Sequence, residues 1–320
     1  MNKNNLIVIL HNHYDTQSPE DIVDIGRQAQ WINEILQAKG YSTLLMSFSL
    51  KNLTLLSTMN KKKPVVVFNL VDAAPEEESL SYLTAGLLDY LKLPYTGCSF
   101  DNLYITTNKV LTKRLLTNAA IPTPPWIYKD EKEALQDISN TQFILKPTCE
   151  DASIGLDENS IVSSDKIISL LQSKDDCFGE VFIEGREFTL CMFGDQKHYT
   201  TLTPYEWVFT GYEEAHKEKI ITYDAKWVEH SFGYDHIEAK YIADESDFTL
   251  IERLKTIARK CWKTLNLTGY IRIDFRVDNN NNPWVLEINC NPSFYAFYHL
   301  AEEGKFSFED FIEDLLKIAF

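Results

Sequence analysis

RIDFRVDNNNNPWVLEINCNP, residues 272–292, is the stretch from which the fold can be read. Ile271, Ile273, Phe275 and Val277 share one face of a period-2 strand, and Arg272, Asp274 and Arg276 share the other. Trp284, Leu286 and Ile288 alternate with Val285, Glu287 and Asn289, and the turn-rich segment from Asp278 to Pro283 joins the two runs into a hairpin. With the turn centred between Asn280 and Asn281, Asp274 falls opposite Glu287 and Arg272 opposite Asn289, as cross-strand neighbours about 5 Å apart. Two carboxylates and an amide oxygen so close repel one another unless a cation sits between them, and hard oxygen donors suit Mg2+ or Mn2+. The competing reading is a solvated hairpin face with an incidental Arg–Glu pair.

The chain of 320 residues is long enough for two or three compact units. Its 47 acidic and 31 basic side chains give a formal charge of −16, a field that repels phosphate backbones. The run KKK at 61–63 reads as a solvated strand edge, so no nucleic-acid partner is expected. There is no apolar run long enough to span a bilayer, and MNKNNLIVIL passes into HNHYD without a cleavage pattern. A soluble, cytoplasmic protein with no membrane partner is expected. The six cysteines lack C-x-x-C spacing, so reduced thiols are the default. Cys290 reads as a small buried hydrophobe, since neither a helix N-terminus nor a histidine is evident beside it.

Strands and helices alternate through the first ninety or so residues. LIVIL (6–10) reads as a buried strand. A helix follows with Ser18 as N-cap, Pro19 at its first position, an apolar stripe at Ile22, Ile25, Ala29, Ile32 and Leu36, and Gly40 at its end. PVVVFNL (64–70) and SLSYLTAGLLDYLKL (79–93) repeat the pair, which predicts an open, Rossmann-like α/β domain. Ligand loops in such sheets follow strand C-termini, which nominates His11, His13, Asp15, Asn69 and Asp72 as substrate contacts. Beyond LPYTG (93–97) come a helix at TNKVLTKRLLTN (107–118), a strand at FILKPT (143–148), and two strands in EVFIEGREFTLCMFGD (180–195) broken near Gly185. Residues 199–226 read as an ordered loop or lid, 248–265 as a long helix, and FEDFIEDLLKIAF as an amphipathic helix at the end of the sequence.

Lys109, Lys146, Lys226 and Arg272 stand out in so acidic a chain, and a lysine on an apolar strand, as at Lys146, needs an anion or a path to water. A polyphosphate with a divalent ion would satisfy these cations and the acidic hairpin together. The chain has neither a GxxxxGK[ST] nor a GxGxxG loop. In order and spacing, LPYTG, TNKVLTK, LKP with its following SIG, EVFIEGREFTL, YDAKW and RIDF…EINCNP resemble the D-alanine–D-alanine ligase branch of the ATP-grasp superfamily.

The resemblance implies an ATP-grasp fold, α/β with an α+β ATP-binding part, divided as 1–98, 99–179 and 180–320. It implies ATP-dependent carboxylate–amine ligation, in which the carboxylate takes the γ-phosphoryl group of ATP to become an acylphosphate and an amine then displaces phosphate. ATP and Mg2+ or Mn2+, two ions, are the implied cofactors. Small carboxylate and amine substrates, amino acids or peptides, are the implied partners, with homodimerisation open. By position, Lys109 and Lys146 match phosphate-binding lysines, and Ser153 lies in the loop over the phosphates. Glu180, with the backbone at Phe182 and Ile183, matches the adenine-binding strand, Glu187 the ribose ligand, and Lys226 the lid lysine. Asp274, Glu287 and Asn289 match the metal ligands, and Arg272 the arginine at the reacting carboxylate.

Departures fall on the substrate side. The N-terminal loop is HNHYDTQSPE in place of a Gly-rich stretch leading to a glutamate, and the second strand reads FNLVDAAPEEE without an HG pair. Asp151 and Ala152 replace a glycine and a serine of the phosphate loop, and Trp227 replaces the lid tyrosine. SFYAFYH (293–299) stands where the ligases hold a terminal carboxylate, with Tyr298 at the serine position. A non-standard ligase is therefore expected, whose acceptor is larger or apolar, or presents its amine without a carboxylate at that spot. The alternative is a catalytically silent ATP-binding sensor or scaffold.

Overall fold

The computed structural model describes residues 5–49, 59, 61–72, 80–128, 131–133, 139–150, 153–174, 176–241, 245–304 and 306–320. Strands β1 (Leu6–Asn12), β2 (Ser42–Phe48) and β3 (Val66–Asn69) form a parallel sheet in the order β2-β1-β3. The middle strand is covered on both faces, and Ile7, Val8 and Ile9 are fully buried, as an apolar run without alternation requires. Helix α1 (Glu20–Ala38) crosses from β1 to β2 and buries Ala29, Ile32 and Leu36. Pro19 is its N-cap, not its first helical residue, because Asp15 and Ser18 have already closed the preceding turn: the Asp15 amide donates to Ser18 Oγ at 2.9 Å and Asp15 Oδ1 accepts from the Gln17 amide at 2.8 Å. Strand β2 escaped the sequence reading, since Leu44, Leu45 and Met46 are contiguous and show neither period.

Helices α2 (Leu83–Tyr90), α3 (Phe100–Thr107) and α4 (Lys109–Asn118) lead to a second sheet. Its strands are β4 (Trp126–Tyr128), β5 (Glu131–Glu133), β6 (Gln142–Pro147), β7 (Ile161–Ser163) and β8 (Cys177–Val181), in the order β5-β4-β8-β6-β7. Strand β8 runs across the 179/180 limit expected from the sequence and pairs within this sheet, with β4 and β6. Helix α5 (Ser164–Ser173) covers the sheet with Ile167 and Leu171.

The third sheet, antiparallel, runs β12-β11-β9-β13-β14 with β10 on β9. Its members are β9 (Gly185–Gly194), β10 (Tyr199–Thr201), β11 (Tyr205–Phe209), β12 (Ile237–Lys240), β13 (Gly269–Asp278) and β14 (Pro283–Asn289), with the short helices α6 (Tyr223–Trp227) and α7 (Phe232–His236) before β12. The segment expected as a loop or lid thus supplies two strands, and only 210–222 arches free of the sheet. Helix α8 (Phe248–Thr264) packs on one face through Leu254, Ala258 and Cys261. Helices α9 (Tyr295–Glu302) and α10 (Phe308–Ile318) return to the first sheet, so that Phe297 and Phe311 share one core with Ile7 and Phe68.

The deciding hairpin forms, with a refinement. Asp274 pairs with Glu287 and Arg272 with Asn289, but Phe275 pairs with Val285, so the register shifts by one residue at Leu286. The turn is centred on Asn280, and the bulge restores the expected carboxylate pairing. It also turns Val285 into the core, where it is fully buried, and leaves Leu286 beside Glu287 on the opposite face.

Candidate active site

A cleft of about 970 Å3 lies where the second and third sheets face each other. Lys109 and Lys146, the Glu180 to Ile183 segment, Glu187, Ser153, Lys226, Arg272, Asp274 and Glu287 all line it. Residues separated by up to 178 positions therefore converge, because α4, β6 and β8 form one wall and β9, β13 and β14 the other. The α4 amide end is tied to the loop after β6 by Lys109 N donating to Thr148 O at 2.9 Å, and Lys109 Nζ donates to Glu150 O at 2.6 Å.

The carboxylates are held by cations. Glu287 lies 3.8 Å from Lys109 Nζ and 3.6 Å from Arg272 Nη2, and Asp274 lies 2.9 Å from Arg272 Nη2. Burial alone would push the Glu287 carboxyl up, but Lys109, Arg272, Lys226 and Lys146 outweigh it and hold it down at about 2. Lys226 is pulled below the ordinary lysine value, first by burial and then by Arg272. Asp274 Oδ1 also accepts from Thr189 Oγ1 at 2.7 Å, and that hydroxyl accepts from Trp207 Nε1 at 3.0 Å, so a chain of hydrogen bonds fixes the carboxylate.

Asn289 faces a neighbouring chamber, and its Oδ1 accepts from the Asn291 amide at 2.8 Å. Among the described residues no group of three or more His, Cys, Asp or Glu side chains is placed to hold a metal. The hairpin set is two acids and an amide, which falls below that count through Asn289. Its hard oxygens, with Glu287 kept ionised, fit Mg2+ or Mn2+ by donor chemistry.

Glu180, matched to the adenine-binding strand, lines the cleft. Its carboxylate takes Lys146 Nζ at 2.6 Å and Lys113 Nζ at 2.5 Å, and it is almost fully buried. The backbone at Phe182 and Ile183 remains on the cleft wall. Glu187 is buried, which pushes its carboxyl up, against the pull of Arg276 at 3.5 Å. Ser153 is held at φ 64 and donates to Ile221 O at 2.9 Å, joining the loop after β6 to the 210–222 arch. Asp151 and Ala152 lie outside the described residues.

Some residues in and behind the cleft wall went unassigned in the sequence reading, three of them polar and central to its geometry. Arg276 donates to Gly185 O at 3.2 Å and to Lys219 O, and its guanidinium stands 5.6 Å from the Phe182 ring centroid, pinning the arch to the cleft floor. Thr189 and Lys113 are the others. The available signals were spacing: Arg276 lies two residues after Asp274, Thr189 two after Glu187, and Lys113 one helical turn after Lys109.

The neighbouring chamber, about 1660 Å3, shares Trp207, Ile221, Lys226 and Arg272 with the cleft. Asp21 and Asp24 of α1, with Asp72, give it an acidic wall, and Tyr205, Tyr234, Tyr241 and Tyr295 give it an aromatic one. Asp24 is buried, which raises its carboxyl, while Gln28 Nε2 at 2.7 Å and Tyr295 Oη at 3.2 Å donate to it. Of the residues nominated for substrate contact, Asp72 lines this chamber and His11, His13, Asp15 and Asn69 line neither space. Tyr298 also points elsewhere: one turn of α9 separates it from the chamber side, and it packs edge-on against Trp31 at 5.1 Å. The aromatics of this segment that line the chamber are Phe294 and Tyr295.

Three sheets with an acidic hairpin facing a lysine- and arginine-lined cleft make an ATP-grasp architecture, and the solved structures agree with it in fold. D-alanine–D-alanine ligase from Bacillus anthracis complexed with ATP superimposes with a TM-score of 0.70 at 18% identity over 98% of this chain and 97% of that one. D-alanyl-alanine synthetase A from Vibrio cholerae does so at 0.73 and 14% over 99% of each. Residues 115–317 match the family described as D-ala D-ala ligase C-terminus. A D-alanine–D-alanine ligase of Thermosipho africanus is 30% identical over 73% of this chain, an alignment spanning 63% of that relative. One from Coprothermobacter proteolyticus is 28% identical over 94% of this chain and 96% of its own length. The chain belongs to the D-alanine–D-alanine ligase family, a family of ATP-grasp carbon–nitrogen ligases. No helix among its described residues is long and apolar enough to cross a membrane.

Proposed function

We propose that this protein is an ATP-dependent carboxylate–amine ligase whose substrates are larger than alanine. The observation that carries the reading is the shared wall: Arg272 and Lys226 stand between a cleft and a second, larger chamber. In the cleft, Lys109 and Lys146 would hold the phosphates of ATP, Ser153 would cover them, and Glu187 and the Phe182–Ile183 backbone would take the nucleoside. Asp274, Glu287 and Asn289 would hold the divalent ions. When bound, ATP with these ions supplies the phosphoryl group that turns a carboxylate into a good electrophile. Arg272, its guanidinium charge held by Asp274 and Glu287 against the cost of burial, orients that carboxylate and stabilises the oxyanion that forms when the amine attacks. Trp207 and Ile221 line both spaces beside it.

On the chamber side, an ammonium group finds Asp21, Asp24 and Asp72, and side chains find tyrosine rings. This lining favours the larger acceptor, an amino acid or peptide that carries positive charge. The relatives named as D-alanine–D-alanine ligases favour a second reading, dimerisation of D-alanine itself. ADP release measured across amino acids and dipeptides of both chiralities separates the two. Turnover with bulky or dipeptide substrates and little with D-alanine supports the proposal. Efficient turnover with D-alanine as sole substrate overturns the substrate class, and nucleotide binding without turnover on any substrate would establish the silent alternative.

A further inference from the structure

Lys113 does not touch the cleft, and it is 1% exposed. It lies on α4 one turn after Lys109, and its ammonium reaches Glu180 Oε2 at 2.5 Å, Thr123 Oγ1 at 2.6 Å and Pro124 O at 3.2 Å. The other oxygen of Glu180 accepts from Lys146 Nζ at 2.6 Å. Burial would push the Glu180 carboxyl up, yet Lys113 and then Lys146 keep it below its ordinary value, so the group is an ionised carboxylate between two ammonium groups. The three carry a net charge of one, and only Lys146 presents it to the cleft. We infer that Lys113 is a positioning residue for nucleotide binding: it neutralises Glu180 from behind, so that Glu180 can aim the Lys146 ammonium without cancelling its charge.

The physical need is specific. A lysine side chain has four rotatable bonds, and a half-buried ammonium on a strand is aimed well only if something grips it. A lone carboxylate would grip it and also form a neutral pair, removing the attraction for a phosphate. A second, fully buried ammonium resolves the conflict at the cost of desolvating one more charge, a cost Thr123 and Pro124 offset with hydrogen bonds. This inference rests on the reading of the cleft as a nucleotide site.

The test uses the full chain and calorimetry with MgADP on four proteins: wild type, Lys113→Met, Glu180→Gln, and the double variant Lys113→Met/Glu180→Gln. Lys113→Met should weaken MgADP binding on the order of tenfold or more, as truncating one member of a buried charge group does. The double variant should return to within roughly threefold of Glu180→Gln alone, because with no carboxylate to neutralise, Lys113 has nothing to do. A purely structural lysine predicts the opposite, a double variant as weak as the single one, and that result overturns the inference, as does unchanged binding in Lys113→Met. Should Lys113→Met fail to fold, the double variant, in which a neutral pair replaces the buried ion pair, carries the comparison with Glu180→Gln: equal affinities support the inference and a large deficit overturns it. Wild-type protein that binds no MgADP would overturn the nucleotide reading beneath it.

Discussion

Replacing Glu287 by glutamine removes one negative charge from among four cations and keeps the shape of the side chain. In protein free of divalent ions the consequence can be worked from the structure. A fall from 4.5 to about 2 corresponds to ~3 kcal/mol of interaction favouring the ionised form. The side chain keeps 29% of its surface exposed, so solvent screening leaves about 1–2 kcal/mol of that as stability. Because the folded-state value is depressed, this contribution is present above the ordinary glutamate value of 4.5 and is lost as pH falls towards about 2. Glu287→Gln should therefore be ~1–2 kcal/mol less stable at pH 7, a drop of roughly 2–6 °C in melting temperature, and the gap should narrow below about pH 4.5. Turnover with magnesium should fall by about 100-fold or more, since a bridging ligand charge is gone. Chemical denaturation at pH 7, 5, 4 and 3.5 and ADP release at pH 7 measure the two effects. A stability gap that stays constant down to pH 3.5 refutes the cation-cluster account, and turnover within tenfold of wild type refutes the metal role.

Lys146→Met should weaken nucleotide binding roughly tenfold while the fold holds, because Glu180 keeps Lys113 as counter-ion; calorimetry with unchanged affinity would return Lys146 to a structural role. Gly269→Ala should cost about 2–4 kcal/mol in thermal or denaturant unfolding, since its φ is 81 and the added Cβ would stand 2.2 Å from the backbone of Gly97; wild-type stability would refute the close backbone approach as the reason for glycine at 269. Asp24→Asn should raise the KM for the amine-bearing substrate and leave melting temperature at pH 7 equal or higher. Burial raises this carboxyl above its ordinary 3.8, so its ionised form burdens the fold once pH exceeds the folded-state value, and the advantage of asparagine should vanish below pH 3.8. A lower melting temperature at pH 7 with an unchanged KM would count against both halves of that expectation.

The hairpin and the strand-borne Lys146 were legible because their signals are local. Arg272, Asp274 and Glu287 declare a common face by period, and Lys146 by the apolar residues around it. What escaped is set by distance and by small irregularities. No local pattern tells that Lys113 and Glu180, 67 positions apart, will meet, or that Glu180 will stand between two lysines. The bulge at Leu286 is a single residue, yet it decides that Val285 and not Leu286 enters the core. Tyr298 followed a positional match, whereas the side that α9 turns to the chamber depends on Phe297 stacking with Phe311 at 4.7 Å, a contact made by a helix further along the chain.

The two spaces also differ in how their charges are arranged, and on the proposed reading this orders the substrates. The chain as a whole carries −16, so its field works against the approach of any polyanion, and the attraction must come from Lys109, Lys146, Lys226 and Arg272 gathered in one cleft. Across the shared wall Asp21, Asp24 and Asp72 stand on the far side of the chamber and Arg272 and Lys226 on the near side. On the reading proposed above, an amino acid entering that chamber would have one favourable orientation, ammonium outward to the aspartates and carboxylate inward to the arginine, which would present to the cleft the group that needs activating. The free tail of a larger substrate would then lie along Tyr205, Tyr241 and Tyr295. Charge at the two ends would set direction, and the aromatic wall between them size.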